Sequence, residues 1–126
     1  MFSHMMVGSN DIDRSKHFYD AVFGKEAKSD EKGRLSYGRK GTVFMVTPPI
    51  DGAPATCGNG STIGFVFDSP GEVDAWHAAG VAAGGKAIED PPGVREGSFG
   101  PLYLAYLRDP DGNKLCALHR MPVESS

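Results

Sequence analysis

The series strand, helix, strands occurs twice in this chain, once on each side of a segment with no apolar period, and that duplication limits the fold more than any single motif does. Phe2 to Gly8 is apolar and reads as a first strand. Asn10 and Asp11 are N-cap types. Ser15, Phe18, Tyr19 and Val22 recur at helical spacing, which predicts an amphipathic helix closed by Gly24. Leu35 to Arg39 and Thr42 to Thr47 read as strands joined by the tight turn Arg39-Lys40-Gly41. Pro48-Pro49 stops the second, because proline cannot donate to a ladder. Ile50 to Gly60, made largely of small and turn-forming residues, reads as a linker.

The series then restarts. Thr62 to Asp68 is an apolar strand. Ser69-Pro70-Gly71-Glu72 carries three helix-start signals, Ser at the N-cap, Pro at the first position and Glu at the third. Val73, Trp76, His77 and Gly80 follow at helical spacing, and Gly84-Gly85 ends the helix. Lys86 to Glu89 reads as a short strand, Pro91 to Gly100 as a polar loop, and Leu102 to Arg108 as a strand. Asp109-Pro110-Asp111-Gly112-Asn113 is a turn in which Pro presets φ and Gly supplies φ > 0. Lys114 to His119 is the last strand. A period of about 60 residues marks a duplicated domain, since solenoid repeats are shorter and more numerous.

The 126 residues suit one domain with a real core. A net charge of −3 argues against nucleic acid, which needs a basic face. No run approaches the ~20 apolar residues of a membrane span, and no basic flank with an apolar run opens the chain. A cytoplasmic protein with no membrane contact is expected. Cys57 and Cys116 are too few for a disulfide framework and fit no CxxC spacing.

His4-Met5-Met6-Val7, Phe18-Tyr19, Phe23-Gly24 and, more strongly, Tyr106-Leu107-Arg108-Asp109-Pro110-Asp111-Gly112-Asn113-Lys114-Leu115 resemble the glyoxalase / bleomycin-resistance / dioxygenase (vicinal oxygen chelate) superfamily. The resemblance runs from about Phe2 to His119. It implies an α+β fold of two βαβββ modules, whose curved mixed sheets surround a cavity with helices outside. Module one is then 1–49, the linker 50–60, module two 61–120 and the tail 121–126, with 1–120 forming one domain. It further implies a divalent metal such as zinc or nickel, held by four inward positions. Carried onto this chain, those positions are His4, Phe44, Gly64 and Cys116, of which Phe44 and Gly64 have no donor and Cys116 stands where the family has Glu. The resemblance therefore implies a divergent member with the cavity but not the usual metal.

Strand alternation, with the His4 face taken as inward, places Met6, Phe44, Val46, Gly64, Val66, Cys116 and Leu118 on the cavity wall and Ile63, Phe65 and Phe67 under the helices. His4 is the polar group of that wall and a candidate proton-transfer residue, since histidine suits such work near neutrality. Cys116 is a candidate nucleophile with His4 as base, against the plainer reading of a small buried thiol. Arg95, in the loop before Leu102, is a candidate contact for an anionic group. Tyr103 and Tyr106 are three apart on one strand, so one faces in. Tyr103 is carried as a ligand-binding candidate, although alternation alone does not choose. Trp76 reads as a core anchor and His77 as a packed helix histidine.

Two functions follow from the resemblance. One is a glyoxalase-like enzyme, with lyase- or isomerase-type chemistry on a small organic substrate, using His4 and Cys116 in place of a metal. The other is a non-catalytic small-molecule binder, similar to antibiotic-sequestering members. Both take a small-molecule ligand, and the family resemblance implies a homodimer.

Overall fold

A computed structural model describes residues 1–98 and 100–122. The expected tail, 121–126, lies outside the described residues from 123 onward. In chain order the elements are β1 (His4–Gly8), α1 (Ile12–Phe23), β2 (Lys28–Ser29), β3 (Leu35–Arg39), β4 (Thr42–Thr47), β5 (Ile63–Val66), α2 (Pro70–Ala82), β6 (Lys86–Gly97), β7 (Gly100–Arg108) and β8 (Lys114–Arg120). They form two βαβββ modules, each with a four-stranded mixed sheet, ordered β1-β4-β3-β2 and β5-β8-β7-β6. In each sheet the first strand runs parallel to the last, as a strand–helix–strand crossover requires.

The helices start and stop where their signals lie. Asp11 caps α1, its side chain accepting from the Arg14 amide, and Gly24 ends the helix in the left-handed region at φ 66°. Ser69 caps α2, accepting from the Glu72 amide at 3.2 Å, while the Glu72 carboxylate accepts from the Asp68 amide at 3.1 Å. The Arg39-Lys40-Gly41 turn is a tight hairpin with Lys40 at φ 50° and Gly41 at φ 86°.

Two readings change. The βαβββ module implies a strand between α1 and β3, but the residues did not locate the two-residue β2, which is too short to carry an alternation. The segment from Pro91 is not a loop, because β6 runs unbroken to Gly97 with a register shift between Ile88 and Gly93. The diproline falls inside that bulge, on an edge strand, where a missing N–H costs no ladder bond. Arg95 then fills the irregular backbone: its guanidinium donates to the carbonyls of Asp90, Pro91, Gly93 and Leu104.

The helix-facing sides of both sheets share one core. Phe18, Tyr19, Val73, Leu107, Leu115 and Ala117 are fully or almost fully buried in it. The helices cross at Gly80, where an added Cβ would lie 2.3 Å from Leu107 and 3.1 Å from Val22. Trp76 is 2% exposed, as expected of a core anchor, and its indole N–H has no hydrogen-bond partner among the described residues.

Candidate functional site

β1 and β5 are edge strands of separate sheets, and the cleft between these two edges has a volume of about 580 Å³. A volume of roughly 300–1,000 Å³ is usual for a small-molecule site. Because the cleft lies across strand edges, residues from both sheet faces reach it. His4 and Val43 line it from the face turned away from the helices, and Phe44 and Phe65 from the helix side.

The register corrects part of the alternation reading. His4 pairs with Val43 and Met6 with Met45, whereas Phe44 and Val46 pair with Met5 and Val7. In-register partners share a face, so Phe44 and Val46 point to the helix side, where both are buried. Alternation holds along one strand but does not carry across a crossover to the next, and a one-residue slip changes every face. In module two Gly64 pairs with Cys116 and Val66 with Leu118. The module-one equivalent of Cys116 is therefore Val43, and the four positions that the resemblance implies for a metal become His4, Val43, Gly64 and Cys116.

Of the sequence candidates, the cleft gathers His4, Phe44, Gly64 and Val66. Met6 lies on the His4 face, 41% exposed, outside the cleft lining. Cys116 and Leu118 lie on β8 behind Gly64 and Val66. Arg95 spends its guanidinium on backbone carbonyls. Tyr103 pairs with His119 on the helix side and donates its hydroxyl to Asp74 at 2.8 Å. The tyrosine on the Cys116 face is Tyr106, which pairs with Cys116 directly. No bulge interrupts the β7–β8 ladder, so parity was right and only its starting point was missing.

The chemistry of the wall is mostly apolar. Phe65 meets Phe23 at 5.3 Å and Phe44 at 5.4 Å between ring centroids, both edge-to-face, so rings of both modules form the floor. Gly64 adds space, since a Cβ there would meet nothing within 4 Å. His4 holds a 2.8 Å hydrogen bond between its Nδ1 and Ser3 Oγ, leaving Nε2 as the ring nitrogen without a partner among the described residues. Burial pushes the Cys116 thiol up, against the opposing effect of its hydrogen bond with Tyr106, so the thiol stays protonated near neutrality. Tyr106 is itself raised, first by burial and then by Cys116. Lys114 lies 5.0 Å from the Tyr106 ring centroid and 2.5 Å from Glu89 Oε2.

Sequence reasoning did not single out the rim. Lys25, Arg39 and Lys40 line the cleft mouth, with Asp68 opposite. Lys25 Nζ donates to the Gly38 carbonyl, and Arg39 Nη2 stands 4.0 Å from Asp68 Oδ2. The signal was the pair of adjacent cations in the β3–β4 turn, which served only to locate a hairpin.

The implied metal can be tested against these residues. Val43 and Gly64 carry no donor atom, which leaves the His4 imidazole and the buried Cys116 thiol as the donors at these four positions. The donor set is the same whether modules pair within a chain or across two chains, because every site takes one copy of each position. Among the described residues no three His, Cys, Asp or Glu side chains are grouped to hold a metal. These residues do not fit a divalent ion. Among the described residues, no helix is long and apolar enough to cross a membrane.

Comparison with known proteins agrees with this architecture. The family model described as Glyoxalase/Bleomycin resistance protein/Dioxygenase superfamily matches residues 1–117. A solved glyoxalase/bleomycin resistance protein from Albidiferax ferrireducens T118 is 56% identical, with 95% of this chain and 99% of that chain covered and a TM-score of 0.92. A glyoxalase-related enzyme from Fulvimarina pelagi has 20% identity over 99% of this chain and 93% of that chain, with a TM-score of 0.74. A lactoylglutathione lyase from Agrobacterium tumefaciens has 21% identity over 94% and 92%, with a TM-score of 0.67. At such identities the last two speak to the fold alone.

Proposed function

The chain belongs to the Glyoxalase/Bleomycin resistance protein/Dioxygenase superfamily, and from that premise we propose that it binds a small organic molecule in the β1–β5 cleft without the metal its relatives use there. The donor set carries this reading: Val43 and Gly64, two of the four positions, have no donor atom, while the space they border stays open and mostly apolar. A cavity that keeps its volume and gives up its ligands suits binding of an apolar molecule, the mode of a sequestering protein.

A second reading has one observation in its favour. His4 stands on the cleft wall with Nε2 free of partners among the described residues. On that reading the protein is a lyase- or isomerase-type enzyme in which His4 accepts a proton from carbon and returns it to the product. Burial, which raises the Cys116 thiol, works against the role of nucleophile for it.

The proposed partner in either case is a second copy of the chain, in the cytoplasm. The sheet faces turned away from the helices carry exposed Met6 and Val66, at 41% and 66%, which a homodimer would cover. Sedimentation analysis tests this, and a monomer at all concentrations overturns it.

Thermal-shift screening of a small-molecule library, repeated on Gly64→Leu, tests the binding reading. A ligand that binds only the folded state raises the melting temperature. The expected result is hits on the wild type that vanish in Gly64→Leu, whose own melting temperature is unchanged. Hits that persist undiminished in the filled variant overturn the assignment to this cleft. For the enzyme reading, His4→Ala must abolish turnover of an identified substrate while leaving its binding in place.

A further inference from the structure

We infer that the molecule held in the cleft is an amphipathic anion, an aromatic body carrying a carboxylate. This rests on the cleft-binding reading above and names its ligand class.

The floor and the rim of the cleft have opposite characters. The floor is the ring cluster Phe23, Phe44 and Phe65. Among the described residues the rim carries Lys25, Arg39 and Lys40, all exposed, against the single carboxylate Asp68. Three cations at one mouth run against the chain's net charge of −3. An apolar body on the rings would leave its polar end at this mouth, where only an anion is matched.

The cations are held in place rather than scattered. Lys25 is tethered to the hairpin by its bond to the Gly38 carbonyl, and Arg39 and Lys40 are successive residues of the same hairpin. Lys40 sits at φ 50° in a two-residue turn, a backbone position that favours Asn or Gly. A lysine there is not explained by turn chemistry. The Arg39 contact with Asp68 is long, and the two side chains are 53% and 73% exposed, so the pair is weak and yields to a better-placed carboxylate. Arg presents the planar fork that carboxylates match in two hydrogen bonds.

Calorimetric titration with three matched probes tests the inference: phenylbutyrate, phenylbutanamide and phenylbutylamine, which share a body and differ in charge. The acid is expected to bind about tenfold tighter than the amide, as several exposed charge contacts of this kind allow, with the amine weakest. Arg39→Ala with Lys40→Ala should bring the acid down to the amide and leave the amide unchanged. Asp68→Asn should raise affinity for the acid by about two- to fivefold, and this variant carries the test if the double variant folds poorly. Lys32→Ala, outside the cleft lining, should alter nothing. Equal binding of acid and amide, or tightest binding of the amine, overturns the anion and leaves cleft binding standing. Failure of all three to bind also overturns it, while the library comparison with Gly64→Leu judges the cleft-binding reading separately.

Discussion

The Tyr19 hydroxyl donates a 2.5 Å hydrogen bond to Asp109 Oδ2, joining the helix of module one to the last hairpin turn of module two. Two residues on, Asp111 receives the Asn10 amide at 2.9 Å, Arg14 Nη2 at 2.9 Å and Ser15 Oγ at 3.2 Å, all from the N-terminal end of α1. The turn that carries the strongest family motif is thus an inter-module clamp, with its carboxylates against a helix N-terminus where the dipole favours them. At the pseudo-symmetric contact, the β3–β4 turn against the start of α2, the described residues make only the long Arg39–Asp68 pair. One side of the duplicated domain is bolted through buried groups and the other is left loose, and the loose side holds the cleft.

Removing the clamp has graded costs. Tyr19→Phe deletes one hydrogen bond to a carboxylate and should cost about 1–2 kcal/mol. Asp109→Ala should cost more, about 3 kcal/mol, because it also strands the Asp111 and Asn113 amides and Asn113 Nδ2 that Asp109 now satisfies. Urea unfolding of both single variants and the double variant checks this. A sum of the single costs in the double variant would mean that the two groups do not interact.

The same bond sets an alkaline limit. Burial, then the Asp109 carboxylate, holds the Tyr19 phenol well above its ordinary value, and burial with Asp20 does the same for Tyr37. A folded-state value above the unfolded one means the native protein keeps a proton the unfolded chain gives up. The stabilisation is complete below the unfolded phenol value of about 10 and declines as pH rises past it, by up to about 1.4 kcal/mol per pH unit for each phenol. Melting temperature should therefore fall steeply above about pH 10, and Tyr19→Phe should flatten the fall. An unchanged slope in that variant would remove Tyr19 from the account.

Gly80 offers a test of sign. Within a helix, Gly→Ala ordinarily gains up to about 1 kcal/mol. At Gly80 the new methyl would sit 2.3 Å from Leu107 Cδ1, with Val22 and Phe18 also close, where the two helices and the second sheet meet. Overpacking there should reverse the sign to a loss of about 2 kcal/mol. Gly71→Ala, in the first turn of the same helix with only Ser69 Oγ near at 3.9 Å, should not lose stability. Chemical denaturation of the two variants compares them directly.

What sequence could foretell was whatever is encoded locally. Asp11, Gly24, Ser69 and Pro70 mark helix ends through groups within three or four residues of themselves, and β3 and β4 are bounded by a turn and a diproline. Relations between distant segments were not legible. The second half of β6, beyond the strand read at Lys86 to Glu89, was hidden because Pro91 and Pro92 read as breakers, and only its place at the sheet edge makes them tolerable. The side of Tyr106 and the register of Phe44 depend on how β7 and β4 meet strands that are remote in sequence. The cations of the rim are ordinary surface residues until the topology sets Lys25 beside the Arg39-Lys40 turn.

That register has a consequence for metal binding that can be built into the protein. His4 and Val43 are in-register neighbours on one face, and Gly64 lines the same cleft. The wild type, with only the His4 imidazole and the buried Cys116 thiol as donors at the four positions, should purify without a stoichiometric divalent ion, and a chelator should leave its melting temperature unchanged. Val43→Glu combined with Gly64→His adds a carboxylate and an imidazole to His4, a donor set of the kind zinc and nickel take. Elemental analysis of that variant should find about one ion per site. The slipped alternative, Phe44→Glu with Gly64→His, should instead fail to fold. It places a carboxylate among the rings of Tyr19, Phe23 and Phe65, at a position 6% exposed, and loses the Phe44 packing, a cost of about 3–5 kcal/mol before the buried charge is counted. Metal uptake by the Phe44 variant and not by the Val43 variant would reverse the register assigned to β1 and β4.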